Sequence, residues 1–148
     1  MCAASPSISM TRTATAGYNT FSENRLRLLG FSISNRMTTL DEYHTAYIYL
    51  TKADLESFNY QVGDTEGVVN YPLMIDGIRM AVLITERQGV IRFSFRSKGN
   101  FSVHELARAH FNGGGHTNAA GGTLECSIDE AIRRFLDVLP QYKALLNR

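Results

Sequence analysis

The sequence predicts a single α/β domain with a mixed β-sheet flanked by helices. Segments rich in β-branched and aromatic residues alternate with segments that carry helix-capping signals, an order typical of α/β proteins. The chain has 148 residues, the size of one domain, and 44% of them are apolar, which is enough for a buried core. No apolar run approaches the roughly 18 residues that a membrane helix needs. The two cysteines, Cys2 and Cys126, cannot form a disulfide framework and lack metal-ligand spacing, which fits the reducing cytoplasm.

The first 40 residues predict little packed structure. Residues 1–22 contain no acid and eight Ser or Thr residues, so we expect a disordered or loosely packed leader. It lacks the basic and apolar regions of a secretory signal. Residues 23–29 predict a short helix that Gly30 ends. We interpret residues 23–40 as the remnant of an interdomain linker helix and residues 41–148 as the domain itself.

The next segments predict a strand and two helices. Residues 45–51 are rich in β-branched and aromatic types and predict a strand. Thr51 and Asp54 have the spacing of a capping box, so a helix is expected to follow through residue 60. Residues 64–71 begin with Asp, Thr and Glu, which favour a helix N-terminus because they satisfy free amides. The proline that follows limits this helix.

The second half of the chain predicts a hairpin, two helices and a short strand. Residues 78–87 and 90–98 read as a β-hairpin around Gln-Gly. Ser102 caps a helix, residues 123–126 form a short strand, and Ser127 caps the last helix. The apolar stripe expected to face the core from that last helix comprises Ile128, Ala131, Ile132, Phe135, Leu136 and Leu139.

The charges are segregated along the chain. The overall net charge is +1, which by itself argues against a strongly basic nucleic-acid binder. Residues 41–86 carry −6, however, and residues 87–116 carry +4 together with three of the four histidines. In the predicted strand 90–98, alternation places Arg92, Arg96 and Lys98 opposite an apolar face. Such a row of cations is suited to a phosphodiester backbone.

Glycine is concentrated in one segment. Five of the twelve glycines lie between positions 113 and 122, in GGGHTNAAGG. Three successive glycines can turn successive backbone amides toward an anion, and a helix beginning at His116 would add its positive end. We therefore expect an anion-binding loop here, with His116 as a further donor.

The histidines do not predict a metal site. His104 and His110 lie in the segment HELARAH, but they are roughly 240° apart on a helix and cannot bind one ion together. We expect His110 in the core and His104 at the surface. Asp64 and Glu66 are better explained as residues of a helix start.

Three motifs in a consistent order resemble one family. SFRSKG at residues 94–99 and GGGHTNAAGG at residues 113–122 resemble the C-terminal, DHH-associated substrate-binding domain of the DHH phosphoesterases. GDTEGVVNYPL at residues 63–73 is similar to the nanoRNase-like group, the bifunctional oligoribonuclease/pAp phosphatases also called exopolyphosphatase-related. The resemblance covers residues 24–148. Alanyl-tRNA synthetases carry a related domain, but there an arginine is expected where His116 stands.

The resemblance implies which residues bind substrate and what the substrate is. The implied substrate-binding residues are Arg96, Ser97, Gly113, Gly114, Gly115, His116, Asn118 and Ala119. The glycines and His116 would hold a phosphate, and Arg96 with Ser97 would contact the nucleotide. The implied partners are short single-stranded oligonucleotides or a nucleoside bisphosphate such as pAp, with no membrane contact.

One part of the family pattern does not occur in this sequence. In the family, hydrolysis belongs to an N-terminal domain whose Asp and His motifs, including DHH, hold two Mn²⁺ or Mg²⁺ ions that activate water. The chain contains neither DHH nor Asp-x-Asp. We therefore expect no catalytic residue and no cofactor in this chain, which would be the substrate-binding half of an enzyme and inactive alone.

Three further hypotheses stay open at this stage. The chain is a subunit completed in trans by a separately encoded DHH domain, or a freestanding regulatory or dimerisation module that forms a homodimer. The third alternative is a tRNA-binding module.

Overall fold

A six-stranded mixed sheet with five α-helices forms the part of the chain that the computed structural model describes, residues 20–148. The helices are α1 (Glu23–Asn35), α2 (Lys52–Ser57), α3 (Val103–His110), α4 (Ile128–Val138) and α5 (Lys143–Leu146). The strands are β1 (Met37–Leu40), β2 (Thr45–Leu50), β3 (Met80–Arg87), β4 (Val90–Ser97), β5 (Gly114–His116) and β6 (Ala119–Leu124). The α/β class with a mixed sheet is confirmed. None of the described helices combines the length and the apolar composition needed to cross a bilayer.

Strand β3 lies inside the sheet and is buried on both faces. The strand order is β1-β2-β3-β4-β6-β5, and β3 pairs in parallel with β2 and antiparallel with β4. Met80, Val82 and Ile84 face one core, whereas Ala81 and Leu83 face a second core on the other side of the sheet. This double burial explains why β3 is almost continuously apolar.

The first core lies between the sheet and helices α3 and α4. Phe93 and Phe95 of β4 pack against Phe111, with ring centroids 4.6 and 5.2 Å from it. Phe135 of α4 packs edge-on against Tyr47 of β2. The apolar stripe predicted for the last helix is confirmed, since every one of its members is buried in this core or packed against it.

The second core covers only half of the opposite sheet face. Leu28 of α1, Leu55 of α2 and Val69 of a 3₁₀ helix pack on Ile48 and Leu83 of the sheet. These elements lie over β1, β2 and β3, and β4, β6 and β5 contribute no residue to this core. The 3₁₀ helix also contacts β4, but the residues of β4, β6 and β5 on this face are exposed or half-buried, which leaves the face accessible to a ligand.

Helix α1 is longer than predicted, and β1 was not predicted. The helix runs through Gly30 to Asn35 because two of its own residues, Leu28 and Ser32, are fully buried. The free energy gained by this burial outweighs the cost of one interior glycine, about 1 kcal/mol. Residues 37–40 then pair with β2 as an edge strand. The role of residues 23–40 as an interdomain linker stays a prediction. Residues 1–19 of the predicted leader lie outside the described residues.

Residues 64–71 do not form the predicted helix. Gly67 has φ of +85°, which interrupts a right-handed helix, and the carboxylate of Asp64 accepts a bond from the amide of Gln61 instead of capping a helix. Two short 3₁₀ helices follow, Val68–Asn70 and Pro72–Met74. The segment is thus an ordered series of turns rather than a helix.

Arg36 and Asp54 join the end of α1 to the start of α2. Arg36 donates from Nε and Nη2 to the two carboxylate oxygens of Asp54, at 2.8 and 2.9 Å. The predicted capping box between Thr51 and Asp54 is confirmed. Burial alone would raise the pKa of Asp54, but the hydrogen bonds from Arg36 and Thr51 outweigh it and lower the pKa below its ordinary value.

We expect Asp54→Asn to lower the free energy of unfolding by about 2 kcal/mol at pH 7, because Arg36 then loses its anion and α2 loses part of its cap. A lowered carboxyl pKa stabilises the fold above the unfolded-state pKa, and this contribution is lost as the pH falls through the folded-state pKa. The difference between the two proteins should therefore shrink below about pH 4. Urea denaturation across this pH range measures both effects.

The matched control is Glu23→Gln, which removes an exposed ion pair with Arg27. Such a pair contributes less than about 1 kcal/mol. A loss in Asp54→Asn no larger than that of the control would contradict the prediction.

Candidate functional site

The open sheet face brings Arg96 and His116 into one row. Arg96 of β4 pairs with Ala119 of β6, and Ala119 pairs with His116 of β5. Directly paired residues project from the same face, and Phe93 and Phe95 of β4 project from the other face into the first core. Arg96 and His116 therefore share the open face, with Cα atoms about 10 Å apart across two interstrand spacings.

Arg96 also lines a cleft beside this row. Its Nη1 donates to the carbonyl oxygen of Phe95 at 2.9 Å, which holds the partly buried side chain in place. The cleft measures about 740 Å³, and its other walls include Arg25 of α1 and Asn70 and Tyr71 of the 3₁₀ segment. The motif at residues 63–73 and the motif around Arg96 are distant in sequence, and they meet in this cleft.

The glycine-rich segment forms a β-hairpin, and no helix begins at His116. β5 and β6 pair antiparallel and are joined by the two-residue turn Thr117–Asn118. The strand expected at residues 123–126 consequently begins earlier, at Ala119, and ends at Leu124.

The glycines are required because the backbones lie too close for side chains. A Cβ at Gly113 would overlap the carbonyl oxygen of Gly121. A Cβ at Gly115 would lie 2.6 Å from the carbonyl oxygen of Ala119, and one at Gly122 would lie 2.5 Å from that of Phe111. Packing of backbone on backbone thus explains these glycines without any bound anion.

The expected series of free amides is wrong for at least two of the three glycines. The amide of Gly113 donates to the carbonyl oxygen of Ala107 at 3.2 Å. The amide of Gly115 donates to Nδ1 of His104 at 2.9 Å, so the ring proton of this histidine is on Nε2. His104, expected at the surface, is half-buried and supports the hairpin. Its spacing from the glycines gives no sequence signal for this contact.

Ser97 and Asn118 hold the hairpin turn against the end of β4. Ser97 is buried, and its hydroxyl donates to the carbonyl oxygen of Phe101 at 2.7 Å. The side-chain amide of Asn118 donates to that hydroxyl at 2.9 Å and to the carbonyl oxygen of Gly99 at 3.1 Å. These contacts position the row of Arg96 and His116. Direct contact of Ser97 or Asn118 with a substrate stays a prediction.

The remaining histidines and acids do not form a metal centre. His110, expected in the core, is only half-buried, with Nε2 3.0 Å from the hydroxyl of Tyr142. Burial, together with Glu105, raises the pKa of that hydroxyl above its ordinary value. Within residues 20–148, no three His, Cys, Asp or Glu side chains are grouped so that they could hold a metal ion.

The family is decided by comparison with known proteins. Residues 42–144 match the DHHA1 domain. The chain belongs to the DHHA1 domain family. The resemblance to the DHH-associated domains of DHH phosphoesterases, and to the oligoribonuclease/pAp phosphatase group among them, is confirmed.

Two curated relatives of this DHHA1 domain carry the same name, bifunctional oligoribonuclease and PAP phosphatase NrnA. The Bacillus subtilis protein is 36% identical over 115 residues, which are 78% of this chain and 35% of that protein. The Thermus thermophilus protein is 32% identical over 77 residues, which are 51% of this chain and 22% of that protein. The match thus spans about a third of the length of the first relative and about a fifth of the second.

Two solved structures resemble this DHHA1 domain. An exopolyphosphatase-related protein from Bacteroides fragilis is 44% identical with a TM-score of 0.86, covering 88% of this chain and 38% of that one. The pGpG-specific phosphodiesterase PggH from Vibrio cholerae is 17% identical with a TM-score of 0.58, covering 81% of this chain and 39% of that one. The second likeness shows the fold alone.

We expect Gly113→Ala to lower the free energy of unfolding by about 3 kcal/mol, because its Cβ requires the two backbones to separate. Gly30→Ala is the matched control, since a Cβ there meets nothing within 4 Å and alanine stabilises a helix interior by about 0.5–1 kcal/mol relative to glycine. Thermal and urea denaturation measure both changes. Equal stability of the two variants would show that the hairpin tolerates side chains.

Proposed function

We propose that this DHHA1 domain binds the substrate of a DHH-type phosphoesterase by holding the phosphate of a short single-stranded oligonucleotide or of a nucleoside bisphosphate such as pAp. The observation that carries the proposal is the row of Arg96 and His116 on an open sheet face beside a cleft. The names of the two NrnA relatives, oligoribonuclease and PAP phosphatase, support this choice of substrate.

Each proposed residue has a distinct task. The planar guanidinium of Arg96 binds two phosphate oxygens, and the exposed imidazole of His116 donates to a third. Ala119 between them is small and lets the phosphate approach the sheet. Ser97 and Asn118 keep the hairpin turn in position, and Gly113, Gly114 and Gly115 let β5 lie close to its neighbours. The nucleoside attached to the phosphate occupies the cleft lined by Asn70 and Tyr71.

We further propose that hydrolysis depends on a DHH domain that carries Mn²⁺ or Mg²⁺, joined in cis or supplied in trans. Such ions activate water and neutralise the developing charge on the phosphate. This chain contributes no ligand to them in the proposal and acts by binding and orienting the substrate. The cytoplasm, where Cys126 stays reduced, is the proposed location.

We expect Arg96→Gln and His116→Gln each to weaken binding of pAp and of a short oligoribonucleotide by about tenfold or more, because each removes a charge-assisted or directional contact to phosphate. The affinity of the unchanged protein should also fall as salt rises. Isothermal titration calorimetry with EDTA present measures binding without turnover.

Arg133→Gln is the control for this titration, since Arg133 is an exposed arginine on α4, which packs against the opposite face of the sheet. It should leave both affinities unchanged. Binding that neither Arg96→Gln nor His116→Gln weakens would overturn the proposal, and so would a preference for folded tRNA over pAp. A stable homodimer without nucleotide affinity would instead favour a regulatory module.

We expect the chain alone to release no phosphate from pAp in the presence of Mn²⁺, because the described residues hold no metal cluster. Release should begin on mixing with the part of the Bacillus subtilis relative, which is named a PAP phosphatase, that this chain does not match. A colorimetric phosphate assay follows both reactions. Phosphate release by the chain alone would contradict the proposed division of labour.

A further inference from the structure

A second cleft lies at the other end of the open sheet face. It measures about 760 Å³ and lies between α2 with the residues that follow it, the β3–β4 turn and the outer ends of β4 and β6. Arg92 and Thr123, which are directly paired, line its sheet side, and Lys52 and Tyr60 line the opposite side. The proposed contacts of Arg96 and His116 do not involve this cleft.

Two arginines in this cleft are available to an anion. Arg92 is exposed, and neither Arg92 nor Arg87 forms a side-chain ion pair or hydrogen bond among residues 20–148. The guanidinium of Arg87 lies over the ring of Tyr60, 4.8 Å from its centroid, which fixes its position. The lining also contains Glu56 and Glu86, whose carboxylate accepts the amide of Lys52 at 2.8 Å, so that Lys52, Arg87 and Arg92 leave the cleft with an excess of one positive charge.

A floor of small residues connects this cleft to the first site. Arg92 and Arg96 project from the same face of β4 because they are four positions apart. Their Cα atoms are therefore roughly 13 Å apart. Between them, Ser94 pairs with Gly121, and Ala119 follows on β6. No large side chain from β4 or β6 stands on this stretch of the face, so an extended chain can lie across it.

We propose that the open face holds a single-stranded oligonucleotide across both clefts, with Arg92 and Arg87 binding a second phosphate several nucleotides away from the phosphate at Arg96 and His116. The proposal rests on the proposed function and adds to it a preference for substrates longer than a dinucleotide. A mononucleotide such as pAp occupies only the first site. An oligonucleotide of about five residues is more than long enough to reach both, because the two arginine positions are only roughly 13 Å apart.

The test compares two ligands on the full 148-residue chain. Calorimetric titration with EDTA uses pAp and a penta-adenylate, as RNA and as DNA. The unchanged protein should bind the pentamer more tightly than pAp. Arg92→Gln should lower the affinity for the pentamer by about tenfold and leave the affinity for pAp unchanged. It should also reduce the steepness of the plot of log pentamer affinity against log salt by about one. Thr123→Glu, which places a negative charge opposite Arg92, should act in the same direction.

Arg133→Gln serves as the charge-matched control, and thermal denaturation verifies that each variant is folded. If both Arg92→Gln and Thr123→Glu leave pentamer affinity unchanged while Arg96→Gln weakens both ligands, the second site is overturned and the proposed function stands. An equal loss of affinity for pAp and for the pentamer in Arg92→Gln would also overturn the proposal of a separate second site. If the unchanged protein binds neither ligand, the proposed function itself fails.

Discussion

The close contact of backbones in the β5–β6 hairpin is the constraint on which the candidate site depends. Gly113, Gly115 and Gly122 leave no side chain between β5, β6 and the end of α3, so the strands lie flush against one another. That contact fixes the register in which Ala119 pairs with both Arg96 and His116. A shift of one residue would send the imidazole to the opposite face of the sheet. The glycines therefore act on the site through register.

The uneven covering of the sheet decides where charge can act. A net charge of +1 describes the whole chain poorly, because the basic residues of β4 lie on the half of the sheet that the second core leaves uncovered. The acidic segment 41–86 supplies most of that covering layer and borders both clefts. Under the proposed function, a narrow cationic strip beside acidic walls suits a single strand that lies along it better than a broad duplex.

Sequence reasoning succeeded where a local signal determines the structure. The capping box of Thr51 and Asp54, the β3–β4 hairpin and the α4 stripe each depend on residues a few positions apart, and each was predicted. The alternation of β4 correctly placed Arg96 opposite the core. Residues 64–71 and 113–122 could not be assigned because their outcome depends on distant partners. A glycine triplet is compatible with an anion-binding loop and with a tight hairpin, and only packing against Phe111 and His104 selects the hairpin.

The hydrogen bond between His104 and Gly115 affects whether another chain can pair with the edge of the sheet. β5 is an edge strand, and the unpaired amides of such a strand invite any extended chain to add to the sheet. A glycine-rich edge is especially exposed to this because it carries no bulky side chains. Here the amide of Gly115 is already occupied by the ring nitrogen of His104. At this position the edge strand therefore offers no free amide to an added strand, which disfavours pairing of another chain with β5.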